Sequence, residues 1–251
     1  MAILDSSTKT GISWVKESID LFKTAPRKWL LLALAYIGFV LLPSALGLQL
    51  LVFINTLILP FFLVIAMIMY RNADIKKQQD LSEIMKNIQP KIPLLIALGG
   101  ACLLYAVLMR FVLGSDIQGL TELLQAKTKM TESEITIFMQ KMTPVLLKML
   151  LLSVPLLMAT WFAPMLIAFN NYSLVKAIKS SIAGSLQYMV ALGAAWLLFT
   201  AGIAALILPA IIIGAFVPLL GQMLLFGCFL LATALMLAFQ YVSYRDVFRA
   251  A

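Results

Sequence analysis

The 251-residue chain contains no histidine, two cysteines and eleven acidic residues, and only 12% of its residues are charged. Without histidine it lacks the commonest general base and the commonest metal ligand, and a Ser-His-Asp set is excluded. Cys102 and Cys228 both lie inside apolar runs, where cysteine behaves as a small hydrophobe; neither a disulfide framework nor a metal pair is expected. No glycine-rich segment runs into Lys-Ser or Lys-Thr, so there is no phosphate loop. No cofactor is expected.

A soluble domain is about 45–50% apolar and about 25% charged. Here 63% of residues are hydrophobic and the mean hydropathy is +1.01. That excludes an ordinary soluble fold and a disordered chain, and it leaves an all-α integral membrane protein. The net charge of +8 does not indicate a nucleic-acid partner. The basic residues sit in short segments beside apolar runs, where they set topology and meet anionic lipid headgroups.

A membrane-crossing helix needs about 20 mostly apolar residues. Six such runs are readable in one domain, at about 29–46, 50–70, 92–113, 144–169, 186–211 and 219–244. The polar stretch 1–10 lacks the basic-then-apolar pattern of a signal peptide, so the first span is expected to be retained. Before that span, Ile12, Val15, Ile19 and Phe22 recur at helical spacing opposite Lys16, Glu17, Asp20 and Lys23. This predicts an amphipathic helix over 11–25 lying in the headgroup plane. Trp14, Phe22, Arg27, Lys28, Trp29 and, at the other end of the chain, Arg245 are expected at the membrane interface.

The segment 114–143 is the longest polar stretch. It is expected outside the membrane as two short helices, about 116–127 and 132–142, with a capping box at Thr131-Glu-Ser-Glu134. A further amphipathic stretch, 170–184, takes Ser173 as its N-cap. Fourteen of the nineteen Lys and Arg residues fall beside one set of span ends. The positive-inside rule then places both termini in the cytoplasm, with Arg110, Lys127, Lys129, Lys141 and Lys148 on the opposite face.

Pro26-Arg27-x-x-Leu30-Leu31-Leu32-Ala33-Leu34 echoes Pro90-Lys91-x-x-Leu94-Leu95-Ile96-Ala97-Leu98, each just after an amphipathic helix. With a third such helix before span 5, the chain reads as three units of one in-plane helix and a two-span hairpin, or as a chance match among leucine-rich segments. Such repeats are frequent in transporters without being confined to them.

Four pieces together carry a family resemblance: Trp14-x(6)-Leu21-Phe22-Lys23-x-x-Pro26, Phe162-Ala163-Pro164, Ser173-Leu-Val-Lys-Ala177-Ile178-Lys179-x-Ser181, and Tyr244-Arg245-Asp246-Val247-Phe248. The arrangement resembles an uncharacterised family of bacterial six-span inner-membrane proteins. It is also similar to the membrane domain of glycerophosphoryl diester phosphodiesterases, whose catalytic domain this sequence does not contain. The resemblance implies a fold and an inner-membrane location and no established chemistry.

No Asp or Glu falls inside the six spans, which counts against a carboxylate-relay transporter. Arg110 and Lys148 lie about one turn inside spans 3 and 4. Either they snorkel to the headgroups, or they face inward with Asn55 and Gln222 to line an outward cavity that holds an anionic ligand. Gln49, Asn55, Thr56, Ser153, Thr160, Thr200, Gln222, Thr233 and Gln240 are expected to bond between helices. Gly99-Gly100-Ala101, Gly193-Ala194-Ala195 and Ala201-Gly202 are expected where helices approach closely. The functional reading is a non-enzymatic membrane protein binding lipid, a membrane-protein partner, or both. The alternative, favoured by the repeat and by Pro43, Pro164 and Pro209, is a small-molecule or lipid transporter. Oligomeric state is not legible.

Overall fold

The computed structural model describes residues 2–77, 79–125 and 132–248. Lys127, Lys129, Arg249 and the capping box at Thr131–Glu134 fall on residues or side chains outside those described. Among the described residues the protein is all-α, and six helices are long and apolar enough to cross a membrane.

The chain runs α1 (Ala2–Thr24), α2 (Pro26–Ala45), α3 (Gln49–Asp74), α4 (Leu81–Ile88), a 3₁₀ turn, α5 (Ile92–Gln125), α6 (Glu132–Thr160), α7 (Ala163–Asn170), α8 (Leu174–Gln187), α9 (Met189–Phe216) and α10 (Pro218–Val247). Proline opens α2 and α10, where its missing N–H costs nothing. Gly47, at a positive φ of 68°, makes the short turn into α3. The stretch 114–143 does not fold as two separate helices: α5 continues the third span to Gln125 and α6 runs unbroken into the fourth.

The order of one leading helix and one hairpin occurs three times: α1 before α2–α3, α4 before α5–α6–α7, and α8 before α9–α10. Each leading helix packs on the hairpin of another unit. α1 lies against α9 and α10, α4 against α3, and α8 against α6 and α7. The hairpins follow one another around a ring. α3 meets α5 closely enough that a Cβ on Gly99 would lie 2.2 Å from the Leu57 carbonyl oxygen. α10 packs on α2, which closes the first unit on the third. The third junction, α6 with α9, is the loose one: no comparable packing joins these two helices among the described residues.

The structure corrects the reading of α1. Its buried seam is Gly11, Trp14, Ser18 and Leu21, while Ile12, Val15, Ile19 and Phe22 are only half-buried. A Cβ on Gly11 would lie 2.3 Å from the Ala191 carbonyl oxygen of α9. α1 is therefore built into the bundle along a seam of small, hydroxylated and aromatic side chains. Apolar neighbours on its flank do not mark that seam, because in a membrane protein small and polar residues make the helix contacts.

Candidate functional site

Two places gather the chemistry that the spans do not spend on plain packing. The first is the end of the bundle where α1, α3 and α10 meet. Arg245 of α10 reaches three carboxylates. It bonds Asp74 Oδ2 of α3 at 3.0 Å and Asp246 Oδ1 at 3.3 Å, and it pairs with Glu17 of α1. Tyr241 donates its hydroxyl to Asp74 at 2.8 Å, and the Trp14 indole N–H donates to Asp246 at 2.9 Å. One cation thus neutralises part of a three-carboxylate cluster and ties three helices together. Beside it Tyr70 donates to the Ala234 carbonyl at 2.8 Å and stacks on Trp29 at a centroid distance of 4.0 Å.

Those contacts overturn part of the interface assignment. Trp14 and Trp29 are 0% exposed, so neither ring reaches headgroups. Their N–H groups are also occupied, Trp29 donating to the Leu21 carbonyl at 3.1 Å. Arg245 is three-quarters enclosed by its acidic partners. Phe22 is half-buried against the core, while Arg27 and Lys28 are exposed at this end.

The second place is the fourth span. Its helix breaks at Trp161 and Phe162, between α6 and α7. A break frees backbone groups that lipid cannot satisfy. The neighbours supply the bonds. The Phe162 N–H donates to Ser181 Oγ at 3.0 Å, and Ser181 Oγ donates to the Met158 carbonyl at 2.7 Å. From the other side Gln240 donates its amide to the Trp161 carbonyl at 2.8 Å, and the Trp161 indole N–H donates to Ser243 at 3.3 Å. Proline at 164 fits the first turn of α7, which then buries Ala163 to Ile167 completely. α7 ends on Asn171 at a left-handed φ of 55°, a position asparagine tolerates well.

The break sets the Trp161 ring at the loose α6–α9 junction, 5.7 Å from the ring of Trp196. There a groove of about 200 Å³ opens outward between the two spans. Val154, Leu157 and Trp161 form one wall, and Met189, Gly193 and Trp196 form the other. Ser185 adds a hydroxyl, already turned toward the Met158 carbonyl at 3.4 Å. Growing a Cβ on Gly193 meets nothing within 4 Å. The glycine therefore leaves space in the groove and does not serve a close helix contact, which corrects the expectation for that position; Gly202 is equally open.

The four residues read as a possible outward cavity have separate surroundings. Asn55 donates its amide to the Phe39 carbonyl of α2. Lys148 pairs with Asp116 at 2.8 Å on the surface of the opposite end, and Arg110 lines a different depression, of about 760 Å³, on α5 alone. Gln222 is exposed on α10. The hydroxyls expected as interhelical glue also divide. Thr56, Ser153, Thr160 and Thr233 each bond back to the carbonyl four residues earlier on their own helix. Gln240 and Asn55 do bridge helices.

Sequence reading missed Ser181 as the residue that holds the broken span, and it missed Trp161, Gly193 and Trp196 as groove residues. The Phe162-Ala163-Pro164 motif was the available signal for the break. No protein-family model, no curated protein and no solved structure matches the chain.

Proposed function

We propose that this is a non-enzymatic, multi-pass protein of a bacterial inner membrane that binds membrane lipid, seating an acyl chain in the α6–α9 groove. The groove carries the reading. It is apolar, it opens outward between two membrane-length helices, and bilayer hydrocarbon is what such a surface meets. The orientation that goes with it puts the Arg245 end in the cytoplasm, since fourteen of nineteen Lys and Arg residues fall on that side. The resemblance to six-span inner-membrane proteins supports the same location. The missing histidine and the carboxylate-free spans favour a binding role over catalysis.

A transporter is the second reading, and the broken fourth span favours it, since discontinuous helices build many transport sites. Against it, the freed groups at Trp161 and Phe162 are capped by Ser181 and Gln240 and so are not left open for a substrate. The test is purification in native lipid nanodiscs, with mass spectrometry of what is retained, for the wild type and Gly193→Leu. Lipid binding predicts a lipid retained at about one per protein and lost from Gly193→Leu. A stoichiometric second protein with no groove-dependent lipid would replace the reading with a scaffold.

A further inference from the structure

A second pocket lies at the Arg245 end, between the end of α3, the linker to α4, the 3₁₀ turn and α7. It encloses about 220 Å³ and shares no lining residue with the groove. Three cations face it: Arg71, Lys77 and Lys91. The amides of Asn72, Gln79 and Asn87 line it too, and none of its lining residues is acidic.

The cations are placed by the fold. Arg71 lies over the Phe169 ring, 5.0 Å from its centroid, which fixes the guanidinium without neutralising it. Lys91 donates to the side chain of Asn171, the residue that ends α7. Lys76 adopts a left-handed φ of 52°, and the Lys77 N–H then bonds the Asn72 carbonyl at 2.8 Å. That turn sets Lys77 on the wall shared by this pocket and the adjoining depression, and its ammonium has no side-chain partner among the described residues. Two carboxylates lie close by outside the lining: Glu83 receives the Gln79 amide at 2.9 Å, and Asp80 lines the adjoining depression that Lys77 also borders. Three positive charges converge without a counter-charge in the lining.

We infer that this pocket binds a phosphate-bearing anion between Arg71, Lys77 and Lys91. Phosphate fits the donor set: a guanidinium fork takes two of its oxygens, and two ammonium groups take the others as point charges. One water occupies about 30 Å³ of liquid, so the space accepts a tetrahedral phosphate with its ester. The inference does not rest on the groove. The phosphate belongs to a lipid headgroup or to a free anion, and the two arms of the experiment separate these sources.

The test uses the full protein in phosphatidylcholine nanodiscs, titrated with inorganic phosphate against chloride at matched ionic strength and read by thermal shift. In parallel, lipid retention is measured from nanodiscs of equal phosphatidylglycerol and phosphatidylcholine. Lys77→Ala is the main variant, since its side chain holds nothing in place; Arg71→Gln is the second. Saturable stabilisation by phosphate, weakened about tenfold in either variant, supports a free-anion site, the factor corresponding to one charge-assisted bond. Enrichment of phosphatidylglycerol, lost in the variants and kept in Gly193→Leu, supports a headgroup site. If neither probe shows saturable binding, or if both variants bind as the wild type does, the inference is overturned.

Discussion

The Trp14 indole N–H donates to Asp246 Oδ2 at 2.9 Å, across 232 positions of sequence. It fastens the first helix to the last. Asp246 in turn receives Arg245, and Arg245 continues to Asp74 and Glu17. α1 is thereby held to the bundle by a polar clasp as well as by its buried seam.

Arg245→Ala removes the shared cation and leaves Glu17, Asp74 and Asp246 facing one another. The expected loss is about 1.5–3 kcal/mol, the scale of hydrogen bonds to charged groups. Trp14→Phe loses the bond to the Asp246 carboxylate and leaves a gap in the buried seam, for about 2–3 kcal/mol. Thermal unfolding in one detergent measures both. Equal melting temperatures for Arg245→Ala and the wild type would remove the clasp from the account.

The glycines divide into two groups. Gly11→Leu and Gly99→Leu drive a Cβ to within 2.3 Å and 2.2 Å of backbone oxygens on neighbouring helices. Both are expected to force the helices apart and to lower yield and melting temperature sharply. Gly193→Leu and Gly202→Leu enter open space, and their melting temperatures are expected to stay near that of the wild type. The same detergent assay compares all four.

Ser181→Ala takes away both the acceptor for the Phe162 N–H and the donor to the Met158 carbonyl. Orphaned buried groups cost about 1–3 kcal/mol. Thr56→Ala removes only a bond within its own helix and is expected to fall within about 0.5 kcal/mol of the wild type. Backbone amide exchange should rise at Phe162 in the Ser181 variant alone.

The six spans were legible because their lengths and apolar content leave few alternatives. Their boundaries moved mainly where α5 and α6 extend beyond the apolar run. The interior was much less legible. In a soluble protein an apolar stripe points to the core, but in lipid the outside is apolar as well. The stripe of Ile12, Val15, Ile19 and Phe22 therefore misplaced the seam of α1 by one position. Trp14, Trp29 and Arg245 misled for a related reason. Their composition suits an interface, and only the fold shows partners already waiting for them. The groove was beyond reach, because it depends on which pair of hairpins fails to close. Arg71, Lys77 and Lys91 were visible only as topology charges until the turn at Lys76 and the end of α7 brought them together.

The proposed lipid-binding role stands on one acyl chain seated in the α6–α9 groove. The direct measurement loads the protein with phospholipid brominated on its acyl chains, exchanges it into detergent, and reads tryptophan fluorescence. Trp14 and Trp29 are enclosed, whereas Trp196 is 40% exposed at the groove beside Trp161. Quenching is expected to survive the exchange at about one lipid per protein, to be reduced in Trp196→Phe, and to be absent from Gly193→Leu. Quenching lost completely from the wild type, or retained equally by Gly193→Leu, would contradict the lipid-binding role.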